Sequence, residues 1–280
     1  MNGSNIRDLS WLSVTRGSSP LVLSIPHAGT IIPESIENRL VSGWLSRKDA
    51  DWHIDRLYDF VRAMDVTIVS TAISRTIIDV NRDPAGVSLY PGQATTELCP
   101  TTTFDGERLY SDGESPDQSE IAERRRLYYD PYHAALAEEL KRLRKTHGKV
   151  VLYDCHSIRS RIPRLFDGEL PDCNIGTNDG ASCGAALRTR VGKICEASPF
   201  RHVIDGRFKG GAITRRFGNP QDGVHAVQME LACRAYMREP IPNVAPENWP
   251  GAYDADYAAP VRAILVRVIE ACLDFAGDRG

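Results

Sequence analysis

The chain has 280 residues, of which 42% are hydrophobic and 25% charged, with a formal net charge of −3. That balance is the one expected of a globular chain long enough to bury a sizeable core, and the near-neutral charge offers no basic field to nucleic acid or an anionic membrane surface. No run of about 18 apolar residues occurs, so no membrane span is expected, and the start MNGSNIRDLSW lacks the basic segment and apolar stretch of a signal peptide.

Seven cysteines (Cys99, Cys155, Cys173, Cys183, Cys195, Cys233 and Cys272) are odd in number, irregularly spaced and never arranged as C-x-x-C. Reduced thiols in a cytoplasmic protein are therefore expected, most of them small apolar fillers, rather than a disulfide framework or a structural zinc knuckle.

In chain order, short Val- and Ile-rich runs flanked by turn residues predict strands at Leu21–Ile25, Val66–Ala72, Arg75–Val80, Lys149–Tyr153, Arg201–Asp205 and Ala226–Leu231. Helical spacing predicts helices at Lys48–Met64, Ser119–His147 with an interruption near Pro131, Gly184–Ala197 and Ala258–Ala276. Strands separated by helices imply an α/β layered fold, with a central mixed, mostly parallel sheet flanked by helices, in one domain over residues 1–280. Ligands of such sheets bind beyond the carboxyl ends of the strands.

Two predicted strands run into histidines: PLVLSIPHAG reaches His27, and VVLYDCHSIRSR reaches His156. A single histidine after a buried strand is commonly structural, but two strands ending alike point to a metal. Zinc accepts imidazole nitrogen and carboxylate oxygen, and a catalytic zinc keeps one position open for water. A third ligand is then needed. In KDADWHIDRLYD, a helix would put Asp51, Asp55 and Asp59 on one face, partly buried among Trp52, Ile54 and Leu57. Asp51 is the favoured ligand, with Asp55 as the alternate or as a partner that orients one.

SRTIIDVNRDP brings Asn81 and Arg82 to the end of an apolar run. The planar fork of an arginine binds a carboxylate bidentately, so this pair reads as a clamp for an anionic substrate. Its bland counterpart is a turn with a surface ion pair to Asp83. In HAVQMELAC, Gln228 and Glu230 alternate with apolar residues; such a carboxylate is solvent-facing or functional, and partial burial would suit Glu230 to proton transfer. Upstream, RFKGGAITRRFGNP reads as a flexible, glycine-containing loop carrying Lys209, Arg215 and Arg216.

A rival reading of the same stretch is C-x5-R, from Cys155 to Arg161, the spacing of a cysteine-dependent phosphatase loop. Its interior, HSIRS, has no glycine to let the backbone approach a phosphate. A third reading is a binding module without chemistry, which would need no proton shuttle at Glu230.

The stretches SIPHAG, DWHIDRLYDF, SRTIIDVNRDP, YDCHS, PRLFDGELPDCNIGTNDGASC, KGGAITRRFG and VQMELA, spread over about residues 20–240, resemble the N-formylglutamate amidohydrolase family. The resemblance implies a fold similar to zinc carboxypeptidases and aspartoacylase. It also implies zinc-dependent (or other divalent-metal) hydrolysis of N-formyl-L-glutamate to formate and L-glutamate in a histidine-degradation route, or hydrolysis of another N-acyl amino acid. The order of functional residues in that wider group falls on His27, Asp51 or Asp55, Asn81 with Arg82, His156 and Glu230. The carboxypeptidase pattern places its acidic ligand within a helical turn of the first histidine, and HAGT has none. A substrate with two carboxylates implies a second cationic contact, for which Arg75, Arg159, Arg164 and Arg215 are the candidates.

Overall fold

The computed structural model of the chain describes residues 10–88, 92–240 and 243–278. Its strands are β1 Leu12–Thr15, β2 Leu21–Ile25, β3 Thr67–Thr71, β4 Val150–Ile158, β5 Cys173–Gly176, β6 His202–Ile204 and β7 Val224–Ala232. They form one sheet in the order β1-β3-β2-β4-β7-β5-β6. The helices are α1 Glu34–Glu37, α2 Ile54–Leu57, α3 Gln118–Arg124, α4 Asp130–Arg144, α5 Ala185–Glu196, α6 Ala212–Phe217 and α7 Ala255–Gly277. Neighbours β3, β2, β4 and β7 run parallel, as do β5 and β6, while β1 on β3 and β5 on β7 are antiparallel. The sheet is therefore mixed and mostly parallel, flanked by helices. Among the described residues no helix is long and apolar enough to cross a membrane.

The central strands are buried along their whole length, as expected where helices cover both faces of a parallel sheet. On one face Val22, Val69, Leu152 and Ala226 pack against Tyr132, Leu136, Leu140 and Leu143, the apolar stripe of α4. On the other face Leu23, Val151, Tyr153, Val227 and Met229 meet α5 through Leu187 and Val191, and α7 through Leu265 and Val268. All seven cysteines are free and buried.

The chain steps from β2 outward to β3, then returns past β2 to lay β4 on its other side. The crevice at the carboxyl ends of β2 and β4 is thus a topological switch point. His27 lies two residues past the end of β2, whereas β4 continues to Ile158, so His156 sits inside that strand rather than beyond it.

Two predicted elements are absent. Arg75–Val80 is a turn-containing segment and not a strand: Ile77 N–H goes back to Ser74 O and Asp79 N–H to Leu98 O, so no ladder forms. Lys48–Met64 is not one helix. His53 adopts φ 63°, which breaks it, leaving the four-residue α2 and a 3-10 helix at Asp59–Met64. Asp51 precedes the break and its N–H bonds to His27 O, so Asp51, Asp55 and Asp59 do not share a helical face. The expected interruption near Pro131 takes the form of a π-helical turn, Arg125–Tyr129, between α3 and α4. Two short strands, β1 and β5, carry too little pattern to be read from sequence.

Candidate metal centre and active site

Strand geometry decides which side chains meet. Along β4, Tyr153 and Cys155 point into the α5–α7 core, so Asp154 and His156 point to the other face. Register then sets Asp154 beside Gln228 and His156 beside Glu230 on β7. His27 arrives from the end of β2, and Asp51 is held next to it by the backbone bond already noted.

His27, Asp51 and His156 are all buried, and one donor atom from each lies within 4.8 Å of the others. His27 Nδ1 and His156 Nδ1 are 3.2 Å apart, and Asp51 Oδ2 lies 3.7 and 3.3 Å from them. The far nitrogens are engaged by carboxylates: His27 Nε2 with Asp79 Oδ1 at 2.8 Å and His156 Nε2 with Asp154 Oδ2 at 2.9 Å. A carboxylate at Nε2 fixes the proton there and leaves the Nδ1 lone pair for a cation. Two lone pairs and a carboxylate oxygen converging in a buried space fit a divalent metal, and this nitrogen and oxygen set fits zinc. Asp51, Asp79, Asp154 and Glu230 share the site with Arg75 and Arg82, so carboxylates outnumber guanidiniums, which also favours a cation.

Asp79 and Asp51 are held ionised. Burial works against the Asp79 carboxylate, but Arg82, His27 and Arg75 hold it well below the usual range. Burial likewise opposes Asp51, and His156, His27 and Arg75 bring it down. For His27, burial and then Arg75 outweigh Asp79, so the imidazole is neutral more readily than usual. For His156 burial is overcome by Asp154 and Asp51, which raise it well above the ordinary histidine value.

Arg75 donates Nη2 to Asp79 Oδ2 at 2.6 Å and Nη1 to Asp51 Oδ1 at 3.3 Å, tying the Asp51 carboxylate to the acid that orients His27. Asp51 Oδ2 also accepts from Ser157 N–H at 3.0 Å. Asn81 Nδ2 lies 3.0 Å from His156 Nε2, and its Oδ1 accepts from Ile213 N–H at 2.9 Å. The π-helical turn braces this segment from behind: Tyr129 OH donates to Arg82 O at 3.0 Å, and His133, following in α4, places Nε2 2.7 Å from Val80 O. Arg82 donates Nε to Thr96 O and Nη2 to Thr96 Oγ1.

Glu230 is 7% exposed. Its Oε2 accepts from Gln228 Nε2 at 3.2 Å, and Gln228 Oε1 accepts from Gly211 N–H at 2.8 Å. Burial, with Asp51 adding to it against the pull of His156, pushes the Glu230 carboxyl up to about 7. Gly211 packs so closely on the Asn81 amide that a methyl group there would collide with it, and Gly176 is pressed in the same way on the backbone of Lys209 and Gly210. The KGGA stretch is therefore a fixed wall that leads into α6, not a flexible loop.

His27, Arg75, Asn81, Arg82, His156 and Glu230 line one cavity of about 530 Å³. Asp55 is exposed, away from the buried ligand group. Three arginines expected at the substrate lie outside the cavity lining. Arg159 pairs with Asp49 and Asp105, Arg164 donates to the carbonyls of Thr103 and Phe104, and Arg215 donates Nε to Gly210 O. The phosphatase reading fails on geometry. Cys155 faces the opposite core with its thiol pushed well above the ordinary value, chiefly by burial, and Arg161 is a surface partner of Glu169.

A family model for N-formylglutamate amidohydrolase matches residues 19–237. The chain belongs to the N-formylglutamate amidohydrolase family. N-formylglutamate deformylase of Pseudomonas putida is 43% identical over 269 residues, covering 96% of this chain and 97% of that protein. The protein of the same name from Pseudomonas aeruginosa is 44% identical over 269 residues, covering 96% and 98%. The fold is that of the N-formylglutamate amidohydrolase crystal structure from Ralstonia eutropha JMP134, with a TM-score of 0.76 at 22% identity over 95% of this chain and 98% of that one.

Within this family member, four site residues escaped the sequence reading. Asp79 and Asp154 each stand two positions before a chosen residue, a spacing that in a strand means the same face, so YDCHS held the signal for Asp154. Gln228 was visible only as the neighbour of Glu230. Arg207, which also lines the cavity, had no signal that set it apart from the other cations of its loop.

Proposed function

We propose that the chain hydrolyses N-formyl-L-glutamate to formate and L-glutamate, a step of histidine breakdown, in the cytoplasm and with zinc as the metal. The observation that carries this reading is the convergence of the His27, Asp51 and His156 donor atoms opposite a buried Glu230 in the cavity that also presents Asn81 and Arg82.

His27 Nδ1, His156 Nδ1 and Asp51 Oδ2 would hold the metal. When bound, a zinc ion supplies Lewis acidity to the formyl oxygen and lowers the pKa of water. The chain's own groups do the rest. Glu230, ionised above about pH 7, takes the proton of the attacking water. The same carboxyl then returns that proton to the amide nitrogen as the C–N bond breaks, so that the amine leaves neutral together with formic acid, which ionises to formate as its proton passes to solvent or to the released amine. Asn81 and Arg82 hold the α-carboxylate, the one nearest the scissile amide. Arg75 keeps Asp51 and the Asp79–His27 pair in register and does not contact the substrate.

Metal analysis combined with formate release tests the reading. The metal-loaded protein is expected to release formate from N-formyl-L-glutamate faster than from N-formyl-L-aspartate, and to leave N-acetyl-L-glutamate largely intact. Full metal loading with no formate released would overturn it.

A further inference from the structure

We propose that Arg207 reads the second, γ-carboxylate of the substrate and so sets the preference for a dicarboxylic N-acyl amino acid; this rests on the hydrolytic reading above. Among the described residues lining the cavity, three carry a permanent positive charge: Arg75, Arg82 and Arg207. Arg75 is committed to Asp79 and Asp51 through both terminal nitrogens. Arg82 stands beside Asn81, next to His156, where the α-carboxylate must lie if the formyl group is to reach the ligand group. The γ-carboxylate then extends toward the remaining wall, formed by Ala94, Leu165, Arg207 and Phe208.

The direction of Arg207 is fixed. Its Nε donates to Leu165 O and its Nη2 to Ala94 O, both at 2.9 Å, and the guanidinium lies 5.2 Å from the Phe208 ring centre. Such a held fork loses little freedom when it takes a carboxylate. Arg82 is anchored on the same short segment, at Thr96 O. Carbonyls two residues apart in a chain are separated by at most about 7 Å. The carboxylate carbons of extended glutamate, joined by four bonds of about 1.5 Å, are about 5 Å apart. The Ala94–Thr96 segment thus anchors both guanidiniums on one short stretch of the cavity lining, one for each carboxylate of the substrate. Shortening the side chain by one carbon, or replacing the γ-carboxylate by an amide, leaves one fork unanswered, and sites built to bond a group reject analogues that lack it.

The test compares N-formyl-L-glutamate with N-formyl-L-glutamine, which differs only in the γ-group. Wild-type enzyme is expected to favour the former by about 30-fold or more in kcat/KM, the lower end for a buried charge pair. Arg207→Met should lose about that factor on N-formyl-L-glutamate, through KM, and stay near wild type on N-formyl-L-glutamine. Arg207→Lys should recover part of the preference, while Arg82→Met should lower both substrates alike. A folded Arg207→Met enzyme, verified by an unchanged melting temperature and metal content, that keeps the wild-type preference overturns the assignment of Arg207 and leaves the hydrolytic reading intact. Wild-type enzyme that cleaves neither substrate overturns both. If Arg207→Met does not fold, Arg207→Lys decides: an undiminished preference there, in the absence of the bidentate fork, overturns the assignment, and a reduced one supports it.

Discussion

At His156 on β4, imidazole nitrogens and a carboxylate oxygen face one another across a buried space. Three residues later, just past the end of the same strand, Arg159 enters a second charged region built in the opposite way. There Lys48 Nζ meets Asp105 at 2.6 Å and Glu107 at 2.5 Å, and Arg159 Nη2 meets Asp49 at 3.1 Å and Asp105 at 2.7 Å. Lys48, Asp105, Glu107 and Arg159 border a cleft of about 1020 Å³, larger than the cavity at His27 and His156. In the second region each of these cations already faces anions, and nothing converges on an empty point. In the first, acids hold the outer nitrogens of both histidines and turn the inner lone pairs toward a common centre. Neither size nor the number of buried charges separates the two regions; the direction of the lone pairs does.

The sharpest break of this contrast removes a ligand. His27→Ala or His156→Ala is expected to lose the metal and abolish formate release, since two remaining protein ligands hold zinc weakly. Asp51→Asn should follow them, and the exposed Asp55→Asn should keep full metal content. Metal analysis of the four variants checks the set.

Next in size is Glu230→Gln, which should retain the metal and lose about 10²–10⁴ in rate, the usual worth of general acid–base catalysis. The pH dependence has a definite sign. A base that must be ionised fails as pH falls, so kcat/KM of the wild type should drop on the acid side of a midpoint at or below about 7, because a bound cation draws the carboxyl down from that value. The acid limb should be missing from the Glu230→Gln profile. A wild-type rate in that variant would remove Glu230 from the chemistry.

A smaller effect is expected at the acids behind the histidines. Asp79→Asn and Asp154→Asn keep the shape but weaken the hold on the Nε2 proton. Metal affinity should fall about 10–100-fold in each, measured by competition with a chelator, and activity should return at high metal concentration.

The smallest effect on turnover belongs to the second region. Arg159→Met takes the cation away from the buried Asp49 and leaves Asp105 to Lys48 alone, and breaking a buried pair costs about 3 kcal/mol. The denaturation midpoint should drop while kcat/KM for the remaining folded enzyme stays unchanged. A loss of turnover without loss of stability would erase the distinction between the two regions.

How much of this was readable from sequence follows the same contrast. Apolar strands that end in charged residues were legible, because β2, β4 and β7 carry strong local pattern, and they delivered His27, His156 and Glu230 to one place. Asp51 was favoured for a reason that does not hold. The helix expected to present it is broken at His53, and its position is fixed instead by its N–H bond to His27 O and by bonds it accepts from Arg75 and Ser157, which no local pattern encodes. Arg75–Val80 has the composition of a strand, yet its polar side chains are consumed by the ligand group, and tertiary demand outweighs propensity. Among the five candidate arginines, sequence could not separate Arg75 and Arg82, which line the cavity, from Arg159, Arg164 and Arg215, since only the packing of distant loops decides where each guanidinium ends.

The closeness of Gly211 to Asn81 and of Gly176 to the Lys209–Gly210 backbone bears on what this enzyme can be made to do. A pocket lined by side chains is enlarged by trimming them, and a large-to-small exchange opens room for a bulkier acyl group. Here Gly211 brings main chain to the cavity lining in contact with the Asn81 amide, and that point has nothing left to trim. Any relaxation of acyl preference, by selection or by design, must therefore come from the side chains of the lining, Phe104 and Ile158 among them, and a substitution at Gly211 would displace Asn81 instead of opening the cavity.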